Sequence, residues 1–146
     1  YWKTAARRIR HASQQVIERY QGQAESIWGD NPRAGDLESR LEKFDGIGQK
    51  KASMATRAIA MDLGKPVRNF DEMDVSYDRH IRRIFLRSGL CDVDDRRVII
   101  EAARRLNPSF PAALDFPCWD IGRRWCPPKN PDCASCYIFE VCPKKI

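Results

Sequence analysis

Histidine is scarce in this chain: two residues, His11 and His80, among 146. Both are distant from the cysteines in sequence, so a metal bound there would have to be held by sulfur without a neighbouring imidazole. No apolar run approaches the roughly 20 residues that a membrane span requires, and no secretory leader pattern opens the chain. Strand alternation, internal repeats and low-complexity tracts are missing too, which leaves all-α as the expected class. Acidic residues are outnumbered, 20 Asp and Glu against 26 Lys and Arg, a formal charge of +6. The excess suits a polyanionic partner; a solvated basic surface is the plainer explanation. The first residue is Tyr1 rather than Met, and it opens inside a helical pattern, so a chain lacking its natural start is expected.

What is present reads as a series of helices. Through residues 3–20, Ala5, Ile9, Ala12, Val16 and Tyr20 recur at helical spacing. Arg7, Arg8, Arg10 and Arg19 take the other face, where most are expected to be solvated, and Gly22 ends the helix. After a loop over 29–35, Asp36 is the expected N-cap of a short helix running to Phe44. The next helix carries Ala52, Ala55, Ile59 and Leu63 on one face and stops at Gly64, with Pro66 beyond. Residues 65–77 have no period and gather Asp71, Glu72 and Asp74. Asp78 is then a natural N-cap for a helix that turns Ile81, Ile84 and Phe85 inward and closes at Gly89. Two more helices are expected, over 95–106 and roughly 112–125, the last with Leu114, Cys118, Ile121 and Trp125 inward.

The chain is organised around residues 41–52, LEKFDGIGQKKA. Gly46-Ile47-Gly48 reads as a tight turn between two helices, with glycines that allow positive φ and a close backbone approach. The helix starting near Gln49 brings its positive end there, and exposed N–H groups at a helix start bind anions. A helix-hairpin-helix that holds a phosphate fits this pattern; a simple connection between helices fits it also. Lys50 sits on the first turn beside that point, and Lys51 follows it.

Four of the six cysteines, Cys126, Cys133, Cys136 and Cys142, are spaced C-x6-C-x2-C-x5-C. Thiolates this dense bind metal or form disulfides; with no secretion signal and a chain able to build its own core, metal is the better reading. Structural zinc usually takes two C-x-x-C pairs, or one pair with histidines. One pair flanked by single cysteines suits a [4Fe–4S] cluster in a short irregular loop, with zinc as the alternative. Pro127, Pro128, Pro131 and Pro143 fit such a rigid loop, while Cys91 and Cys118 read as small core residues.

The hairpin FDGIGQKKA, the run Asp78-Arg79-His80-Ile81-Arg82-Arg83, the pair Gly122-Arg123 and the cysteine spacing follow one another in that order. Together they resemble the helix-hairpin-helix DNA glycosylases with an iron–sulfur cluster, and within them the endonuclease III group. The resemblance implies two helical lobes: residues 1–66, the C-terminal part of the lobe carrying the hairpin (41–52), and residues 67–146, the lobe carrying the cluster loop (126–142). It implies a base-excision repair glycosylase with AP-lyase activity, removing damaged bases such as oxidised pyrimidines from double-stranded DNA. Lys50 matches the family's nucleophile and Asp78 its catalytic aspartate; Asp71, five residues after Pro66, is the rival. Gly46, Ile47, Gly48, Lys51, Arg123 and Arg124 match DNA contacts, and the four cysteines match the cluster ligands. A monomer in the cytoplasm, or in the nucleus or mitochondrion of a eukaryote, is implied, with no membrane partner. The chain departs from the family in two ways: it starts after the helices that complete the hairpin lobe, and its segment before Asp78 is longer. A monofunctional glycosylase, lacking a lysine at the Lys50 position, is one alternative. A non-catalytic or redox-sensing iron–sulfur DNA-binding protein is another.

Overall fold

Helical spacing in the sequence becomes six α-helices in the computed structural model, which describes residues 2–145; the expectation attached to Tyr1 falls outside them. No strand occurs among the described residues, only an isolated bridge between Arg33 and Arg68, so the chain is all-α. Among the same residues no helix is long and apolar enough to cross a membrane. The chain divides into two compact units between Met73 and Asp74.

The first unit holds α1 (Trp2–Tyr20), α2 (Ala34–Glu42) and α3 (Gln49–Met61). No residue of α1 is buried: Ala12, Val16 and Tyr20 are half-covered, and Ile9 is exposed. Its link to the unit is largely polar, through Gln15 Nε2 donating to the Lys43 carbonyl at 3.1 Å and Arg7 and Arg8 beside Asp45. Two of these arginines are therefore directed at the turn rather than simply solvated. Helix α2 starts three residues earlier than the Asp36 cap predicts: Arg33 is its N-cap, and Asp36 sits inside the first turn, where its charge still complements the helix dipole. The buried face of α3 is Ala52, Ser53, Thr56 and Ile59, while Ala55 is half-covered and Leu63 is exposed past the helix end. That shift follows from Ser53, whose hydroxyl donates to Glu38 Oε1 at 2.9 Å and turns a polar position inward.

The aperiodic acidic stretch is more ordered than its sequence indicates. A 3-10 turn covers Phe70–Glu72, and Val67, Met73 and Val75 are buried. Glu72 receives the Arg33 guanidinium, which holds its carboxyl below the usual range, and Asp74 receives Arg104 at 2.7 and 2.8 Å. The acids are used within the fold by arginines distant in sequence.

The second unit packs α4 (Arg79–Arg87), α5 (Arg96–Leu106) and α6 (Asp115–Arg124) around one core. Ile81, Ile84 and Phe85 of α4 meet Ile99, Ala102 and Ala103 of α5 and Cys118 and Ile121 of α6. Deleting a ring such as Phe85, wholly buried here, typically costs about 3–5 kcal/mol. Asp95 caps α5 through the N–H groups of Arg97 and Val98, and burial pushes the Cys118 thiol up to about 12, as befits a core residue.

Candidate functional sites: the glycine turn and the cysteine cavity

Between α2 and α3 the chain reverses over residues 44–48. Gly46 adopts φ +81°, a left-handed conformation that side-chain-bearing residues rarely take. The Arg8 side chain lies directly against it, so a Cβ there would collide with the guanidinium group. The turn is closed by Ile47 N–H donating to the Phe44 carbonyl at 3.0 Å, and by Lys51 Nζ donating to the Gly46 carbonyl at 2.7 Å. Lys51 thus braces the turn. Gly48 differs from Gly46: its φ of −114° is ordinary, and no atom lies within 4 Å of where a Cβ would stand. Its absent side chain leaves open space at the start of α3, where no side chain provides a cap. Lys50 is exposed on the first turn of that helix. Arg8, which the sequence places on a solvated helix face, is the addition the structure makes here.

Asp78 is the N-cap of α4, with Oδ1 accepting from the N–H groups of His80 at 2.8 Å and Ile81 at 3.0 Å. The segment leading into it is pinned by Asp115, which accepts from the Ser76 N–H at 2.8 Å and its hydroxyl at 2.7 Å. His80, on the first turn, is pushed below its ordinary pKa by burial, against the upward pull of the Asp78 carboxylate. Gly122 of α6 makes room for it: a Cβ there would fall 2.6 Å from His80 Nδ1. Asp71, the rival acid, lies exposed in the 3-10 turn.

Cys126, Cys133, Cys136 and Cys142 all line one cavity, together with Ile84, Ile121, Trp125, Ile138 and Phe139. All four are free thiols and half-buried. Among the described residues no group of three or more His, Cys, Asp or Glu side chains converges on a single metal-ion point. One zinc ion needs every sulfur about 2.3 Å from a common centre. Four cysteines around one pocket supply the sulfur donor set that either a zinc ion or an iron–sulfur cluster takes.

Two arginines of α4, one turn apart, hold the start of this loop. Arg83 Nε donates to the Cys126 carbonyl at 2.7 Å and its Nη2 to the Gly122 carbonyl at 2.8 Å. Arg87 donates to the carbonyls of Pro127 and Pro128, each at 2.8 Å, and its Nη1 reaches Cys126 Sγ at 3.4 Å. Pro127 and Pro128 lie outside any helix, and the Arg87 guanidinium donates to their carbonyls where no backbone ladder does. This double clamp joins positions some 40 residues apart, and no local pattern announces it. Arg123 stacks over Trp119 at 5.0 Å, and Arg124 pairs with Asp120 at 2.7 Å.

Endonuclease III of Thermotoga maritima is 27% identical to this chain over 142 residues, which is 97% of the chain and 57% of that protein. The chain therefore spans little more than half the length of the relative it matches. This distant likeness suggests an endonuclease III-like family. No protein-family model matches the chain, and no solved structure does.

Proposed function

We propose that this chain is part of a base-excision DNA glycosylase with AP-lyase activity, with a helix-hairpin-helix at residues 41–52 and a [4Fe–4S] loop at residues 126–142. The observation that carries the proposal is the turn at Gly46-Ile47-Gly48. It brings open space at Gly48, an α3 start without a side-chain cap and an exposed Lys50 to one point. A phosphate can approach the backbone there and accept from it, and the neighbouring amine is within reach of the sugar beside that phosphate. The likeness to Endonuclease III supports the same reading.

In this mechanism the damaged nucleotide is extruded from the duplex at an unstacking cost of a few kcal/mol. The Lys50 free amine attacks C1′ as the C1′–N bond to the base breaks and the base leaves; opening of the C1′–O4′ bond then gives the imine, which permits β-elimination of the 3′ phosphate. The Asp78 carboxylate stabilises positive charge developing on the sugar. Its capping bonds hold the carboxylate at the start of α4. Arg8, Lys51, Arg123 and Arg124 contribute phosphate contacts that do not read sequence. Cys126, Cys133, Cys136 and Cys142 would hold the cluster, which when bound ties the loop together in place of an apolar core.

Incubation of the complete protein with abasic-site duplex DNA tests the proposal. Strand scission at the abasic site, together with iron rather than zinc in the purified protein, is expected. Zinc in stoichiometric amount, or intact DNA with every lesion tried, would go against it.

A further inference from the structure

Phe116 and Trp119, on the exposed face of α6, have no part in the chemistry above, and of this face only Arg123 is shared with it. Phe116 is 65% exposed and Trp119 is 40% exposed, with ring centroids 6.2 Å apart and planes tilted by 30°. The Arg123 guanidinium lies 5.0 Å from the Trp119 ring centre. Spaced i, i+3 and i+7, these three side chains form one continuous strip. Large aromatic rings left in water beside a cation mark an interaction surface. Of the acids of α6, Asp120 is paired with Arg124, and Asp115 turns both carboxylate oxygens to Ser76.

We propose that Phe116, Trp119 and Arg123 form a stacking platform for an unpaired base of single-stranded nucleic acid. A free base has an exposed π-face that can lie on the rings or on the guanidinium plane, and the adjoining phosphate is drawn by the arginine's charge. In a duplex both faces of each base are already stacked, so the platform selects unpaired strands. The strip is amphipathic and basic, and the chain carries a formal charge of +6, which complements a polyanion rather than an apolar peptide. The proposal does not depend on glycosylase activity.

The test is fluorescence anisotropy with the full chain and labelled oligothymidylate about ten nucleotides long, against duplex DNA of the same length. Trp119→Ala and Phe116→Ala are each expected to weaken single-strand binding about tenfold and to leave duplex binding unchanged. Trp119→Leu keeps apolar bulk without a π-face and should lose as much as Trp119→Ala, while Trp119→Phe recovers most of the affinity. Arg123→Ala should flatten the dependence on salt. Helix content by circular dichroism checks that each variant is folded. Oligouridylate in parallel separates RNA from DNA, and whichever strand binds more tightly names the ligand. Wild-type affinity in Trp119→Leu, or a wild-type chain that ignores both oligonucleotides, overturns the proposal. Nicking of abasic DNA without single-strand binding would sink the platform alone; single-strand binding without nicking would sink the glycosylase reading alone.

Discussion

Arg87 Nη1 lies 3.4 Å from Cys126 Sγ and donates to the Pro127 carbonyl at 2.8 Å, so one guanidinium holds both a candidate ligand and the loop that follows it. Removing that fork leaves the part-buried Pro127 carbonyl without its donor, a loss that costs about 1–3 kcal/mol, and the exposed Pro128 carbonyl to water. Arg87→Ala is therefore expected to destabilise the second unit by about 2 kcal/mol in chemical denaturation. It should also expose residues 126–142 to proteolysis and lower the iron retained per chain. Arg87→Lys, a point charge without the fork, should fall between the two. Unchanged proteolysis in Arg87→Ala would show that the loop is held by other means.

The capping role of Asp78 and its proposed catalytic role separate by substitution. Alanine removes the cap of α4, a loss of about 1 kcal/mol, whereas asparagine caps as well as aspartate does. Asp78→Asn should melt close to wild type yet release a damaged base far more slowly, because only the charge is gone. Asp78→Ala should lose both, and Asp71→Asn should do little to either. Equal rates for Asp78→Asn and wild type would reduce Asp78 to a structural cap.

Gly46 and Gly48 are expected to behave in opposite ways. A side chain at Gly46 meets positive φ and the Arg8 guanidinium, so Gly46→Ala should cost about 1 kcal/mol or more. At Gly48, φ is −114° and the space is open, so Gly48→Ala should leave stability within about 0.5 kcal/mol of wild type. If a phosphate approaches there, Gly48→Ala should still weaken duplex DNA binding. Melting curves and binding isotherms of the two variants provide the check, and intact binding by Gly48→Ala removes the case for phosphate at the turn.

Burial places the folded-state pKa of His80 below its ordinary 6.5. The neutral ring is the form the fold prefers, so its contribution to stability is complete above about pH 6.5. It is lost as the pH falls through that value toward the lower folded pKa. The difference in Tm between wild type and His80→Gln should shrink from about pH 7.5 to about pH 5.5. A difference that stays constant over that range means His80 is not held neutral.

Much of this fold is legible in the sequence where signals are local. The Asp78 cap, the inward Ile81, Ile84 and Phe85, and the left-handed Gly46 all follow from spacing and residue type. The start of α2 is not, because Arg33 offers no capping side chain and Asp36 mimics the usual signal from inside the first turn. Nor is the pairing of Glu72 with Arg33, since it joins residues brought together only by the fold. The cysteine spacing marks which thiols to compare, and the structure adds that all four line one cavity. The clamp of Arg83 and Arg87 on that loop, and the brace from Lys51 to the Gly46 carbonyl, depend on tertiary geometry, so periodicity is silent about them.

The assignment of Lys50 as nucleophile is tested most directly by borohydride trapping on abasic-site DNA, with a protein that includes any helices preceding Tyr1. Wild type is expected to form a covalent protein–DNA adduct, and Lys50→Gln to form none while binding the same DNA, because the turn proposed to hold phosphate is untouched. Normal trapping by Lys50→Gln would assign the nucleophile to another amine, and a wild-type protein that never traps would contradict the lyase mechanism.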